Sequence, residues 1–287
     1  MLNPSHNNIS ALRVWLDGQL LPADAAFLPA HSQGHLWGRG LFETIAVHGG
    51  QPFALTRHLA RLRDAAPRLA LQLPDDATLH AAIAALLVNC PKHPQRLRLS
   101  LTGGETPGLA LDPEPGHLLL QLTPAPFCLP EATMLTVPWR RNEFSPLAGV
   151  KSTSYAENAV ALAWASQRGA TEALFLNTAG DLCEGAVSNL FLVRHGAVFT
   201  PFADAGCLPG ITRSLVLELC GHLGLEAHQQ ALTPADLSSA DQVFITNSIR
   251  GIVPVLSVDH DHFDAPGPIT TALTDALIDL RNRLPDP

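Results

Sequence analysis

Leu182-Cys183-Glu184-Gly185-Ala186-Val187-Ser188-Asn189-Leu190-Phe191 is the stretch on which the fold turns. One carboxylate, Glu184, interrupts residues that are otherwise small or apolar. Such a group can pair with a protonated pyridine nitrogen; it can equally be a turn glutamate before a strand. Downstream, Leu208-Pro209-Gly210-Ile211-Thr212-Arg213 opens a helix. Helix starts present free N–H groups and the positive end of the dipole, a ready seat for a phosphate. A plain N-cap threonine is the other reading of Thr212. Upstream stands Lys151-Ser152-Thr153-Ser154-Tyr155-Ala156-Glu157-Asn158. No acid lies within five residues on the N-terminal side of Lys151. Small apolar surroundings disfavour the charged ammonium, which suits an amine that forms a Schiff base. An ordinary loop lysine is the alternative.

The lysine is conspicuous for its rarity. Of 18 cationic side chains only Lys92 and Lys151 are lysines. Arginine serves for surface charge and salt bridges but cannot form a Schiff base. Tyr155, the only tyrosine, falls four residues after Lys151 and would share its face if a helix began here. Its phenol would reach a ring oxygen, or it is a core aromatic. Arg61, in His58-Leu59-Ala60-Arg61-Leu62, is placed to meet a phosphate bidentately. Thr246-Asn247-Ser248 ends a strand in three polar side chains, which suits a phosphate rim or a satisfied turn.

The surroundings of these motifs limit the function. A net charge of −8 gives no electrostatic reason to bind nucleic acid or an anionic membrane. Hydrophobic residues at 46% and charged residues at 15% supply a real core. Five cysteines, an odd number without a C-x-x-C pair, read as buried thiols in a reducing cytoplasm. Residues 1–10 lack the basic start and apolar run of a secretion signal. The apolar run 81–88 is too short to span a bilayer. In Asp259-His260-Asp261-His262-Phe263-Asp264, alternate side chains of an extended chain point to opposite sides. It reads as a solvated turn, and no metal is expected.

Patterning gives strands at 12–16, 42–47, 96–102 and 118–122, with helices from Thr56 as N-cap and over 76–88. Beyond them come a strand at 134–137, a helix over 156–167, and strands at 173–176, 190–193 and 197–200. A helix over 212–223, strands at 243–246 and 252–257, and a helix over 269–284 complete the chain. Thr123-Pro124-Ala125-Pro126, with Pro130, reads as a linker because paired prolines cannot continue a central strand. The expected division is a domain over 1–123, a linker over 124–130 and a second domain over 131–287. Without strict strand–helix alternation the class is α+β.

Taken in order, the motifs resemble the class IV aminotransferase superfamily, whose members include branched-chain and D-amino-acid aminotransferases and 4-amino-4-deoxychorismate lyases. The matching pieces are Gly38-Arg39-Gly40-Leu41-Phe42-Glu43-Thr44, the segment 58–62, Lys151 to Asn158, Glu184 to Phe191, Leu208 to Arg213 and the segment 246–255. The resemblance implies fold type IV, with two α/β domains, the second a pseudo-barrel, and pyridoxal 5′-phosphate (PLP) between them in a homodimer. It implies that Lys151 forms the Schiff base and shuttles protons. It places Tyr155 near the ring oxygen and Glu184 on the pyridine nitrogen. Arg61, Ile211, Thr212 and Ser248 would hold the phosphate, with Ser188, Asn189 and Asn247 also lining the cofactor. Arg39, Glu43, Arg98 and Arg250 are candidate anchors for a small amine substrate.

Thr246-Asn247-Ser248 and the Lys151 segment look most like a bacterial lyase that releases 4-aminobenzoate and pyruvate. Gly103-Gly104-Glu105 stands where D-amino-acid enzymes carry an arginine and a histidine. Asn247-Ser248-Ile249 stands where branched-chain enzymes usually carry Gly-Thr-Ala. Thr106-Pro107-Gly108 and Arg39 depart from the lyase pattern as well. The lyase is therefore the favoured expectation, with a class IV amino-acid aminotransferase as the alternative. A non-catalytic binding protein would have no need of Lys151, Glu184 and Arg61 together.

Overall fold

The computed structural model describes residues 12–88, 90–109, 111 and 115–287. The opening stretch 1–10, read above for a secretion signal, lies outside the described residues. The chain divides into two compact units. One comprises residues 1–126, 151–154 and 286; the other comprises 127–150, 155–285 and 287.

The first unit begins with β1 (Arg13–Leu16), β2 (Gln19–Pro22), α1 (Gln33–Trp37), β3 (Gly40–His48) and β4 (Gln51–Pro52). It continues with α2 (Leu55–Ala65), α3 (Asp76–Leu87), β5 (Gln95–Thr102) and β6 (His117–Pro124). The strands form one sheet in the order β2-β1-β6-β5-β3-β4, every pairing antiparallel. Period-two alternation sorts its faces: Leu97, Leu99 and Leu101 of β5 are buried, whereas Arg96 and Arg98 are only partly so. Helix α2 buries His58, Leu59 and Leu62 against β3. Asp75 caps α3 by accepting from the Thr78 N–H at 2.7 Å. Thr56 is not the N-cap of α2. The helix starts at Leu55 after a left-handed Ala54. The Thr56 N–H and hydroxyl both donate to Asp286, at 3.0 and 2.6 Å. That tertiary partner could not be read from local sequence.

The second unit opens with β7 (Ala132–Arg141), α4 (Ala156–Ser166), β8 (Glu172–Asn177), β9 (Leu182–Gly185), β10 (Asn189–Arg194) and β11 (Ala197–Pro201). Then follow α5 (Ile211–His222), β12 (Ala227–Gln230), α6 (Pro234–Ser238), β13 (Gln242–Asn247), β14 (Gly251–Val258), β15 (Asp261–His262) and α7 (Pro268–Arg283). The sheet order is β12-β11-β10-β13-β14-β7-β8-β9. Strand β9 then meets β10 again, with Glu184 opposite Asn189. Six strands thus close into a ring, and a closed sheet has no edge to protect within it. Alternate residues of all six share one buried cluster, among them Met134, Leu174, Leu182, Leu190, Ile245 and Val255. The opposite face packs Val137, Ala173, Phe175 and Cys183 with Ala161 and Ala165 of α4.

The tract 259–264 is more ordered than a solvated turn. Strand β15 pairs with β14. The Asp259 carboxylate accepts from the Thr136 N–H at 2.8 Å, and Asp261 accepts from the Ser238 hydroxyl at 2.6 Å. No described helix is long and apolar enough to cross a membrane.

Candidate active site

In the first unit, the segment carrying Lys151 is stitched to the start of β3. The Phe42 N–H donates to Lys151 O at 3.0 Å and the Thr153 N–H to Gly40 O at 2.8 Å. The hydroxyls of Thr153 and Ser154 both donate to Gly38 O, at 2.9 and 3.1 Å. This close approach explains Gly38-Arg39-Gly40. A Cβ on Gly40 would stand 2.7 Å from Thr153 Oγ1 and 2.9 Å from Leu101 O. Residues 151–154 are not helical, and α4 begins only after Tyr155. The helical spacing assumed for Lys151 and Tyr155 therefore does not apply.

Lys151 Nζ lies 4.5 Å from the centroid of the Phe42 ring. The Arg98 guanidinium sits 3.9 Å from the same centroid, and its Nε–H donates to Ser100 Oγ at 3.3 Å. One aromatic ring thus serves two cations. Nearby, Glu43 is 1% exposed and accepts on both oxygens. Arg61 donates from Nε at 2.8 Å and from Nη2 at 2.6 Å, and His58 Nδ1 lies 2.7 Å away. Burial pushes the Glu43 acid up, but the Arg61 and His58 charges and hydrogen bonds outweigh it and hold it down to about 2. Burial lowers the pKa of His58, against the upward pull of Glu43.

Three of the candidate residues have partners inside the protein here. The bidentate edge of Arg61, reserved for a phosphate, is turned to Glu43, because a buried carboxylate must be paired. Glu43, a candidate for substrate binding, is paired with Arg61 and His58. Arg39, also a candidate anchor, faces inward. It is 4% exposed and donates to Leu69 O at 2.9 Å, to Ala70 O at 2.7 Å and to Gln33 Oε1.

In the second unit, Glu184 sits at the seam of the ring. The Leu208 N–H donates to its Oε2 at 2.9 Å, and Arg141 Nε lies 3.7 Å from its Oε1. The sequence reading missed Arg141. Its signal was the tandem Arg140-Arg141 closing a strand ten residues before Lys151. It stacks on Phe175 at 4.1 Å and pairs with Glu157. Its Nε and Nη2 are buried without a hydrogen-bond acceptor among the described residues. The Tyr155 hydroxyl donates to Ala186 O at 3.0 Å, as does Asn158 Nδ2 at 2.6 Å. A phenol has one proton, so here Tyr155 offers a further partner only its oxygen lone pairs. Burial, then the Glu184 and Glu172 charges, pushes the phenol's pKa well above its usual value.

Helix α5 starts at Ile211 after Gly210, and no side chain caps it. Ile211 and Thr212 are both buried. Asn189 Nδ2 donates to Leu208 O at 2.8 Å, and a Cβ on Gly210 would stand 2.0 Å from Asn189 Oδ1. Asn189 therefore helps to build the helix start. Ser188 spends its proton on Glu172 at 2.9 Å. Asn247 Oδ1 accepts from the Ile249 and Arg250 N–H groups at 3.1 and 2.8 Å, holding the turn at Ser248. Arg250 Nη2 donates to Leu129 O at 2.8 Å. Thr246 Oγ1 is buried with no partner among the described residues. Unpartnered buried donors at Arg141 and Thr246, an uncapped helix start and the Glu184 carboxylate suit a ligand with a phosphate, acceptor oxygens and a protonated ring nitrogen.

Comparison with known proteins gives the same picture. The family profile for class IV amino-transferases matches residues 40–258. A putative branched-chain-amino-acid aminotransferase of Methanocaldococcus jannaschii is 31% identical, covering 95% of this chain and 97% of the relative. The branched-chain aminotransferase of Thermoproteus uzoniensis, solved with norvaline, superposes with a TM-score of 0.88 at 28% identity over 94% of both chains. A putative 4-amino-4-deoxychorismate lyase of Legionella pneumophila gives 0.82 at 30% identity, over 88% of this chain and 95% of that one.

Proposed function

The chain belongs to the class IV aminotransferase family, and from that membership we propose that it moves an amino group between an α-amino acid and a 2-oxo acid. It is an enzyme, and its cofactor is PLP. The observation that carries the proposal is the pair of cations on Phe42. Lys151 brings an amine, and Arg98 brings a guanidinium that suits a substrate carboxylate. Between transaminase and lyase, likeness to branched-chain enzymes over nearly the full length of both chains favours the first. The lyase expected from sequence motifs becomes the second reading, supported by the Legionella likeness.

PLP, when bound, supplies an aldehyde that condenses with amines and a protonated ring that draws electrons from the amino carbon. Lys151 would hold that aldehyde through its amine and would move the proton at the substrate α-carbon. Glu184 would accept from the ring N–H and keep the nitrogen charged. The Ile211 and Thr212 N–H groups, with Ser248, would hold the phosphate, and Arg61 would add positive charge. Arg98 orients the substrate carboxylate.

The test is an assay of purified, PLP-loaded protein on L- and D-amino acids with 2-oxoglutarate or pyruvate, beside aminodeoxychorismate. Amino transfer that requires the oxo acid is expected. An aromatic amine formed without any oxo acid would overturn the transaminase in favour of the lyase. We also infer a homodimer working in a reducing cytoplasm. The family resemblance implies the dimer, and all five cysteines are free; Cys183, Cys207 and Cys220 are buried as expected, whereas Cys128 is exposed and Cys90 half-buried. Sedimentation at twice 30.6 kDa is expected; a monomer at assay concentration would sink the dimer.

A further inference from the structure

Glu172 takes no part in the chemistry above, yet it is a carboxylate only 1% exposed. It sits at the start of β8, and its bonds run to its neighbour Ala173 and to Ala186 and Ser188, two of the four residues that join Glu184 to Asn189. Oε1 accepts from the Ala173 N–H at 2.9 Å and the Ala186 N–H at 3.1 Å. Oε2 accepts from the Ser188 hydroxyl at 2.9 Å. The turn is closed by the Gly185 N–H donating to Ser188 O at 2.8 Å. Gly185 leaves room for the approach: a Cβ there would stand 3.1 Å from Glu172 Cδ and 2.2 Å from Ser188 Oγ.

We propose that Glu172 is a positioning residue of the reaction, fixing the turn after Glu184 and, through that turn, the directions of the Glu184 carboxylate and the Tyr155 phenol. Ala186 is the link. Glu172 holds its N–H, while its carbonyl takes the protons of Tyr155 and Asn158. One residue is thus pinned from both sides, by the buried carboxylate and by the phenol. Glu184 lies two residues earlier, so a shift of the turn moves both groups together. Burying a carboxylate is costly, and its hydrogen bonds here are given to the strand end and the turn. Rigid support behind reacting groups is where small displacements become large rate losses.

The proposal rests on Glu184 facing bound PLP as proposed above and on Tyr155 facing it as the resemblance implies, but its test needs no substrate. Glu172→Ala, Glu172→Gln and Ser188→Ala are compared as full-length, PLP-loaded protein. Three quantities are read: the dissociation constant for PLP, the pH midpoint of the visible cofactor band, and the melting temperature of the PLP-free protein. For Glu172→Ala, PLP binding about tenfold weaker is expected, with the band's midpoint moved upward as the ring nitrogen loses its firm partner. Glu172→Gln, which keeps an acceptor for Ala186, should restore most of both. Ser188→Ala should fall between. If Glu172→Ala does not fold, Ser188→Ala against wild type carries the same comparison. A lower melting temperature with unchanged PLP affinity and unchanged midpoint would mean that Glu172 merely holds the fold, and would overturn the proposal. A failed aminotransferase assay would leave these readings intact, so the two failures are distinguishable.

Discussion

At Arg39 a single guanidinium decides between support and substrate binding. Its donors are committed to Leu69 O, Ala70 O and Gln33. Removing it leaves two backbone acceptors unpaired in a buried site, at about 1–3 kcal/mol each. We expect Arg39→Met to lower the urea midpoint by an equivalent of about 3 kcal/mol, with little change in KM for the amino acid. A KM raised tenfold at unchanged stability would return Arg39 to the substrate. Arg98 should behave oppositely. Arg98→Met is expected to raise KM for carboxylate substrates about tenfold or more, the scale of one lost charge-assisted hydrogen bond, while PLP affinity holds. Steady-state kinetics over an amino-acid series with and without an α-carboxylate checks this.

Among the elements, what could be read in advance depended on whether a strand or helix carries its own signal. Strand β5 alternates leucine with polar residues, and α3 announces itself with Asp75 and an apolar stripe. Strand β9 is four residues long and includes Cys183 and Glu184; only its partners β8 and β10 make it a strand. Helices α1 and α6 were legible but passed over. Ser32 caps α1 and left-handed Gly38 ends it, while Thr233 and Asp236 form a capping box at α6. Among the candidate residues, Lys151, Glu184 and the α5 start stand out in the sequence because their chemistry is rare in such contexts. The supporting roles of Ser188, Asn189 and Asn247 could not, because a hydrogen bond to a distant partner leaves no local trace. The Gly40 position gives a sharp test at this scale. A methyl there would collide with Leu101 O, a backbone atom that cannot step aside. Gly40→Ala is expected to displace residues 151–154 and to cut borohydride-fixed cofactor at Lys151 at least severalfold, as read by intact mass. Full labelling would show that the segment tolerates the shift.

Across the whole molecule, acid should be felt through Glu43 and His58 together. The Glu43 acid is lowered in the fold, so its contribution is present above pH 4.5 and is lost as pH falls toward about 2. By linkage that is on the order of 3 kcal/mol. His58 is also lowered. Burial makes the folded imidazole resist the proton more than the unfolded chain does, so its share falls away below pH 6.5 in the same sense. We expect urea midpoints to decline from about pH 6.5 downward, and Glu43→Gln to flatten the decline below pH 4.5. A wild-type profile level to pH 3 would refute the pairing. Ligand linkage works at the same scale. PLP at a hundredfold over its dissociation constant should add about 2.7 kcal/mol, visible as a rise in melting temperature.

The staple between Gly38 and Thr153 spans 115 residues of chain. Closing so long a loop carries an entropic cost that grows only slowly with its length, but it cannot be met until both ends exist. During synthesis the amine therefore emerges well after the sheet edge that receives it, and cofactor capture becomes a late event in the chain's maturation.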